Sequence, residues 1–395
     1  MRGLRTRAVH VGQTPDPVTG AVVPPIHLAS TFVMDEVGVT RAGYDYSRSG
    51  NPTRDAFQVA LANLESGGEA VAFPSGLGAE DTLIRALTRP GDHILAGTDV
   101  YGGTGRLLRS VLPAEGRTVA RVDTTDREAV RAALAERRAR LVWVETPSNP
   151  RLEISDIAVL AGIVHSAGGW LVVDNTFATP VFQRPIKLGA DIVVHSTTKF
   201  VGGHSDLVGG AVVLSPGLAL PEAGLSGSRS AGDELRWWQN ATGAVPGVFD
   251  CWLAHRGLKT LAVRVEAAAK SAGTIAAALE TMPGVRRVWY PGLASHPAYA
   301  TAVRQMSGFG SVISFEMGSP GAARLVAEST EIFSLAVSLG AVESLIEYPY
   351  AMTHGVLAGT PDAAPDTLVR LAVGLEDPGD LIGDLVQAIR RAGRG

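Results

Sequence analysis

The sequence predicts an α/β protein with a large, mostly parallel, buried sheet of seven strands and a smaller α/β domain towards its C-terminus. Three observations carry this expectation. Seven short apolar runs recur between residues 70 and 214. Segments with helical apolar spacing separate several of them, which is the pattern of βαβ units. The chain has 395 residues, 46% of them hydrophobic, which is enough for a large core and more than one domain.

Taken in order, residues 1–50 show little periodicity and several Pro and Gly, so they read as an extended arm. The strand-like runs then follow as AVAF (70–73), HILA (93–96), TVARV (118–122), LVWVE (141–145), WLVVD (170–174), DIVVH (191–195) and GAVVL (210–214). DREAVRAALAERRAR (126–140) is one of the helical patterns between them. Right-handed crossovers would place helices on both sheet faces. SPGLALPEAGLSGSRSAG (215–232) reads as a loop or the start of an interdomain connection. Residues 253–281 predict one long helix, RRVWY (286–290) and SVISFEM (311–317) two strands, and residues near 378–392 a closing helix. The division this implies is an arm over 1–55, a large domain over 56–250 and a C-terminal domain over 251–395.

Composition narrows the function classes. The formal net charge is −4 and no basic run appears, which argues against nucleic acid as a partner. No uncharged apolar stretch reaches the roughly 18 residues of a membrane span. The arginines near the start precede no apolar run, so no signal peptide is expected. Cys251 is the sole cysteine, so no disulfide can form within the chain, and a cytoplasmic location is expected. His93, His165 and His195 follow no metal-ligand spacing, and no metal site is expected.

The chemistry concentrates in His195-Ser196-Thr197-Thr198-Lys199, which follows an apolar run and leads into Gly202, Gly203 and Gly209. Burial disfavours the charged form of a lysine and leaves a nucleophilic amine. In an extended segment the Ser196 and Thr198 hydroxyls point the same way and suit a phosphate beside an imine. An ordinary loop lysine with polar neighbours is the plain alternative. Asp174 ends the run LVVD; it fits a carboxylate that keeps a pyridine nitrogen protonated, and it equally fits a helix cap. Strand-end Asp and strand-end Lys on one edge of a parallel sheet is a more specific pattern, because that edge binds ligands. FPSGLGAE (73–80) passes from strand to helix, where the N–H groups of Gly76 and Leu77 favour a phosphate. Tyr101 follows another strand end, placed to stack on a planar ring or simply to fill space. These features together point to pyridoxal 5'-phosphate (PLP).

The motifs resemble those of the Cys/Met-metabolism PLP-dependent family, which includes cystathionine γ-synthase, cystathionine γ-lyase and methionine γ-lyase. They are YSRSGNPT (46–53), ETPSNP (145–150), DNTFATP (174–180), HSTTKFVGGHSD (195–206), QNATGAVPGVFD (239–250), RGLKTL (256–261), SLGAVESLIEYP (338–349) and LVRLAVGLED (368–377), in the family's order over nearly the whole chain. The resemblance implies the type I, aspartate aminotransferase-like PLP fold. It implies Lys199 as Schiff-base lysine, Asp174 beside the pyridine nitrogen and Tyr101 stacked on the ring, near enough to the incoming amine to assist as a base. Gly76, Leu77, Ser196 and Thr198 would hold the phosphate, and Asn149 would lie near the cofactor hydroxyl. Tyr46 and Arg48 match a pair that reaches the phosphate across a dimer interface, within a homotetramer of two active dimers. Arg370, with Ser338 beside it, would grip the substrate α-carboxylate, for which a guanidinium fork is geometrically suited.

The activity expected from this resemblance is γ-elimination from cystathionine, and also from methionine, giving 2-oxobutanoate, ammonia and a thiol. Cystathionine γ-synthase is the alternative, and a catalytically silent regulatory protein with a PLP fold a distant third. Val337 precedes Ser338-Leu339-Gly340 where many cystathionine-handling members carry Glu, and methionine γ-lyases typically carry Val. Against that signal, Tyr101-Gly102-Gly103-Thr104 resembles the cystathionine enzymes, and Val337 has a plain reading as a packing residue.

Overall fold

A computed structural model describes residues 2–355 and 363–393. The chain begins with a helix, Leu4–His10, followed by a small antiparallel hairpin of β1 (Met34–Glu36) and β2 (Val39–Thr40). The opening segment is therefore not extended throughout. Seven residues are too few for periodicity to reveal a helix, and too few for one to be stable alone. Tertiary contact holds this one: the buried Arg7 guanidinium donates to the backbone carbonyl and to Oδ1 of Asn63. The rest of the arm stays largely exposed, with Val18 and Val37 at 89% and 103%.

The seven apolar runs are strands: β3 (Glu69–Phe73), β4 (His93–Gly97), β5 (Thr118–Val122), β6 (Leu141–Glu145), β7 (Trp170–Asp174), β8 (Ile192–Ser196) and β9 (Gly210–Leu214). They form one mixed sheet in the order β3-β9-β8-β7-β6-β4-β5. The pairs β4–β5, β4–β6 and β6–β7 are parallel, whereas β9 runs antiparallel to both β3 and β8. This exception has a local cause. Residues 197–209, between β8 and β9, contain no helix, and a parallel return needs a crossover, usually a helix.

Helix starts follow their caps. Asn51 Oδ1 accepts from the Thr53 and Arg54 N–H groups ahead of Pro52–Glu65. Ser75 accepts from Gly78 N–H ahead of Gly76–Leu87, and Asp126 and Asp156 cap Arg127–Glu136 and Ile157–Ser166. The long helix spans Val248–Leu279, starting five residues before the predicted 253. No described helix is long and apolar enough to cross a membrane.

A five-stranded sheet follows, of β10 (Val285–Trp289), β11 (Val312–Met317), β12 (Ser334–Leu335), β13 (Leu345–Glu347) and β14 (Leu368–Ala372), in the order β10-β11-β14-β13-β12. The last three were not expected as strands from periodicity. β12 and β13 are two and three residues long, and Arg370 interrupts the apolar pattern of β14 although all five of its residues are buried. Ile313, Phe315, Val326, Leu371, Leu385 and Ile389 form the core of this region, to which the helices Pro320–Ser329 and Pro378–Ala392 contribute. The chain clusters into two compact units, Met1–Arg89 with Asp191–Ala262, and Pro90–Ala190 with Val263–Gly395.

Candidate active site

The first unit carries the lysine and the predicted phosphate residues. β8 ends at Ser196, and a turn takes over at Thr197, so strand alternation does not extend to Thr198. The two hydroxyl residues nevertheless lie against neighbouring residues at the entry to β9, Gly209 and Gly210. Ser196 pairs with Gly210, and the Thr198 hydroxyl both donates to the Gly209 carbonyl (3.1 Å) and accepts from the Gly209 N–H (3.0 Å). Half-buried Lys199 follows, with its N–H on the Ser196 carbonyl at 3.2 Å and its carbonyl accepting from Gly203 N–H at 2.8 Å. The turn therefore has both ends tied before any ligand is considered.

Gly76 and Leu77 open the helix Gly76–Leu87, so their N–H groups belong to the first turn, which lacks intrahelical acceptors. A side chain is excluded around them. A Cβ on Gly76 would lie 3.0 Å from Ser196 Cβ, and one on Gly210 would lie 2.1 Å from the Ser75 carbonyl oxygen and 2.8 Å from Gly76 N. The close approach of Ser75, Gly76, Ser196 and Gly210 leaves backbone N–H groups and a hydroxyl near one another, a donor set that suits a phosphate. Gly210→Ala is expected to displace the Ser75–Gly76 backbone, destabilise the fold by about 1–3 kcal/mol and weaken phosphate binding. Unchanged melting together with unchanged cofactor retention would contradict this account of the cradle.

Tyr46 and Arg48 are exposed on the arm, with the Arg48 guanidinium 5.5 Å from the Tyr46 ring centroid. Arg48 Nε donates to Asn240 Oδ1 at 3.0 Å, a partner that sequence reasoning did not find. His195 proves to be a core residue, 1% exposed, with Nε2 2.6 Å from Oε1 of fully buried Glu65. Cys251 is buried as well, and burial pushes its thiol up to about 12.

The second unit carries Asp174, Tyr101, Asn149, Ser338 and Arg370. Asp174 is 8% exposed at the end of β7, directly opposite Glu145 of β6. Its Oδ1 accepts from Thr176 N–H at 2.9 Å, which is a local turn contact, yet it caps no α-helix; the next helix is Thr179–Phe182, with Ala178 at its cap. Tyr101 is 39% exposed and its N–H donates to Glu145 Oε2 at 2.8 Å. A strand-end carboxylate thus fixes the backbone that presents the tyrosine ring. Gly102 must be glycine, because a Cβ there would stand 2.6 Å from the Thr353 carbonyl oxygen.

Arg370 is 2% exposed, in the middle of β14 and directly across from Glu347 of β13. Its Nη1 donates to Asn149 Oδ1 at 2.9 Å and its Nη2 to the Ser338 carbonyl at 2.8 Å. Nη2 also faces Glu347 Oε2 at 2.9 Å, a charge contact out of line for a hydrogen bond. Burial pulls the guanidinium below its ordinary value, while Glu347, then Tyr101 and Glu145, pull it back up. Ser338 turns its carbonyl with φ at 99°, a conformation costly for any residue with a Cβ and found where surrounding structure over-determines it. Val337 next to it is 55% exposed. Sequence reasoning placed Asn149, Ser338 and Arg370 in one site, and the structure brings these three together. It missed Glu347, whose only signal was an acid inside the family-like stretch 338–349, and His354, which lies just beyond that stretch.

The profile of the family described as Cys/Met metabolism PLP-dependent enzyme matches residues 5–390. A cystathionine gamma-synthase of Mycobacterium tuberculosis is 48% identical over 388 residues, covering 98% of this chain and 97% of that protein. A cystathionine gamma-lyase of Dictyostelium discoideum is 46% identical over 390 residues, again covering 98% and 97%. The crystal structure of metB from Corynebacterium glutamicum superposes with a TM-score of 0.94 at 43% identity, covering 99% of this chain and 98% of that one.

Proposed function

The chain belongs to the PLP-dependent enzymes of Cys/Met metabolism, and on that premise we propose that it catalyses γ-elimination from cystathionine and from methionine. Its cofactor is PLP. The residues present fit that group: a glycine-lined helix start beside Ser196, a half-buried lysine, and a nearly buried strand-end carboxylate.

When bound, PLP supplies an electron sink for charge developing at the substrate Cα. In this reading Gly76 and Leu77 N–H groups and the Ser196 hydroxyl hold the phosphate, with Thr198 setting the Gly209 backbone beside them. Asp174 would hold a proton at the pyridine nitrogen. Tyr101 would cover the ring and assist in taking a proton from the incoming amine, and Asn149 would position the cofactor hydroxyl. Arg370, braced by Asn149 and Ser338, orients the α-carboxylate and thereby the Cα–H bond. Lys199 Nζ takes the Cα proton and moves a proton at Cβ, after which the γ-thiol departs.

The observation that carries the choice of substrate is Val337. It is exposed beside the Ser338–Arg370 contact and offers an apolar surface where a carboxylate would meet the distal ammonium of cystathionine. An apolar methylthio tail is then accepted alongside the cystathionine tail. Val337→Glu is expected to shift kcat/KM towards cystathionine, relative to methionine, by about 1–3 kcal/mol of one polar contact, or roughly 5- to 150-fold. The assay is 2-oxobutanoate release from each substrate, and an unchanged ratio would show that position 337 does not read the tail.

A second reading, cystathionine γ-synthase, is favoured by the 48% identity to a protein of that name over 98% of this chain. Forming cystathionine from cysteine and an O-acylated homoserine, with no 2-oxobutanoate from cystathionine or methionine, would establish it in place of the lyase.

The functional assembly we propose is a homotetramer of two active dimers, with Tyr46 and Arg48 of one subunit completing the phosphate site of its neighbour. Their exposure on the arm, paired with each other, supports this. Mixing inactive Arg48→Ala subunits with inactive Lys199→Ala subunits is expected to restore part of the activity, because a hybrid dimer contains one intact site. No recovery after demonstrated subunit exchange would rule out shared sites.

A further inference from the structure

Arg370 sits in a closed ring of polar groups. Asn149 Oδ1 accepts from Arg370 Nη1 at 2.9 Å, and the Asn149 carbonyl lies 3.2 Å from His354 Nε2. His354 Nδ1 lies 2.9 Å from Thr353 Oγ1, whose hydroxyl donates to Glu347 Oε1 at 2.7 Å. Glu347 Oε2 then returns to Arg370 Nη2 at 2.9 Å. Glu347 and Arg370 are 1% and 2% exposed. Two buried atoms in this ring have no hydrogen-bond partner among the described residues: Arg370 Nε and Glu347 Oε2.

These two atoms divide the work of the guanidinium. Nε is the nitrogen that donates to no described residue, whereas Nη1 and Nη2 each give one of their two N–H groups, to Asn149 and Ser338. Glu347 already lends Arg370 a negative charge, and both groups are buried away from solvent. An α-carboxylate arriving at Nε therefore meets a neutral pair rather than a lone cation, with a second buried carboxylate close by. Glu145 and the ionisable Tyr101 also act on Arg370, and the Arg151 charge acts on His354. His354 adds no positive charge near neutrality, because burial, reinforced by Arg370, holds it down to about 4.

We propose that Glu347 is a specificity-determining residue that shares Arg370 with the substrate's α-carboxyl group, weakening the preference for a charged carboxylate and admitting amino acids whose carboxyl is a neutral amide. This rests on Arg370 being the α-carboxylate site. Thr353 and His354 are positioning residues, holding Glu347 in its place on Arg370.

The test is calorimetric binding to the PLP-loaded enzyme of three ligands that lack a γ-leaving group: L-2-aminobutanoate, L-2-aminobutanamide and 1-aminopropane. In the wild type the carboxylate should bind within about tenfold of the amide, and both more tightly than 1-aminopropane. Glu347→Gln should raise the carboxylate-to-amide preference by about tenfold or more, since one unit charge about 4 Å away is worth between about 1 kcal/mol in water and about 4 kcal/mol at an effective dielectric of about 20. Glu347→Asp, which keeps the charge, should leave the preference near wild type. An unchanged preference in Glu347→Gln would overturn the inference. So would a wild-type preference for the carboxylate well beyond about a hundredfold, a measurement that needs no variant to fold. Equal binding of L-2-aminobutanoate and 1-aminopropane by the wild type would instead remove Arg370 from the α-carboxylate role, and the inference with it.

Discussion

Replacing Lys199 by Ala is expected to reduce kcat/KM for thiol elimination on the order of 10⁴-fold, the upper range for loss of one positioned proton-transfer group. The turn after β8 holds Lys199 through two backbone bonds, to Ser196 and from Gly203, that do not involve its side chain, so the variant should keep its fold. The cradle of Gly76, Ser196 and Gly210 is likewise formed without the amine, and PLP should remain bound through its phosphate, though no longer linked to the protein. The measurements are single-turnover 2-oxobutanoate release, PLP content after dialysis and thermal melting. Wild-type turnover in this variant would reject the central assignment; loss of turnover together with loss of the fold would not count in its favour.

Asp174→Asn is expected to lower kcat by on the order of 10²-fold or more, with melting near that of the wild type. The substitution keeps an oxygen for the Thr176 N–H, so the local turn survives. It removes the negative charge that keeps the pyridine nitrogen protonated, and with it the capacity to spread charge away from Cα. Asp174→Ala removes both and should melt lower as well. A neutral variant with an unchanged rate would show that Asp174 is only a turn residue, the role its hydrogen bond to Thr176 also allows.

The two variants probe residues that were legible for the same reason. Lys199 and Asp174 each follow a continuous apolar run, and an ionisable group at the end of a buried strand is conspicuous in sequence. Gly76 was visible as glycine at a strand–helix junction. Its partner Gly210 was not, because the need for glycine there comes from the Ser75 carbonyl, remote in sequence. Arg370 was recognised only through the motif around it. Its charge breaks the apolar pattern of β14, so periodicity alone passed over that strand, and β12 and β13 were too short to show a period.

By itself the sequence determined the seven strands of the large sheet, its largely parallel character and the family, and it nominated Lys199 and Asp174 for PLP chemistry. Those depend on local apolar periodicity and on motifs short enough to be read along the chain. Tertiary structure decided the helix at Leu4–His10 and the ring that joins Asn149, His354, Thr353, Glu347 and Arg370. Each depends on groups far apart in sequence meeting in space. A buried guanidinium is stable only where such partners surround it, and no pattern along one strand records which partners they are.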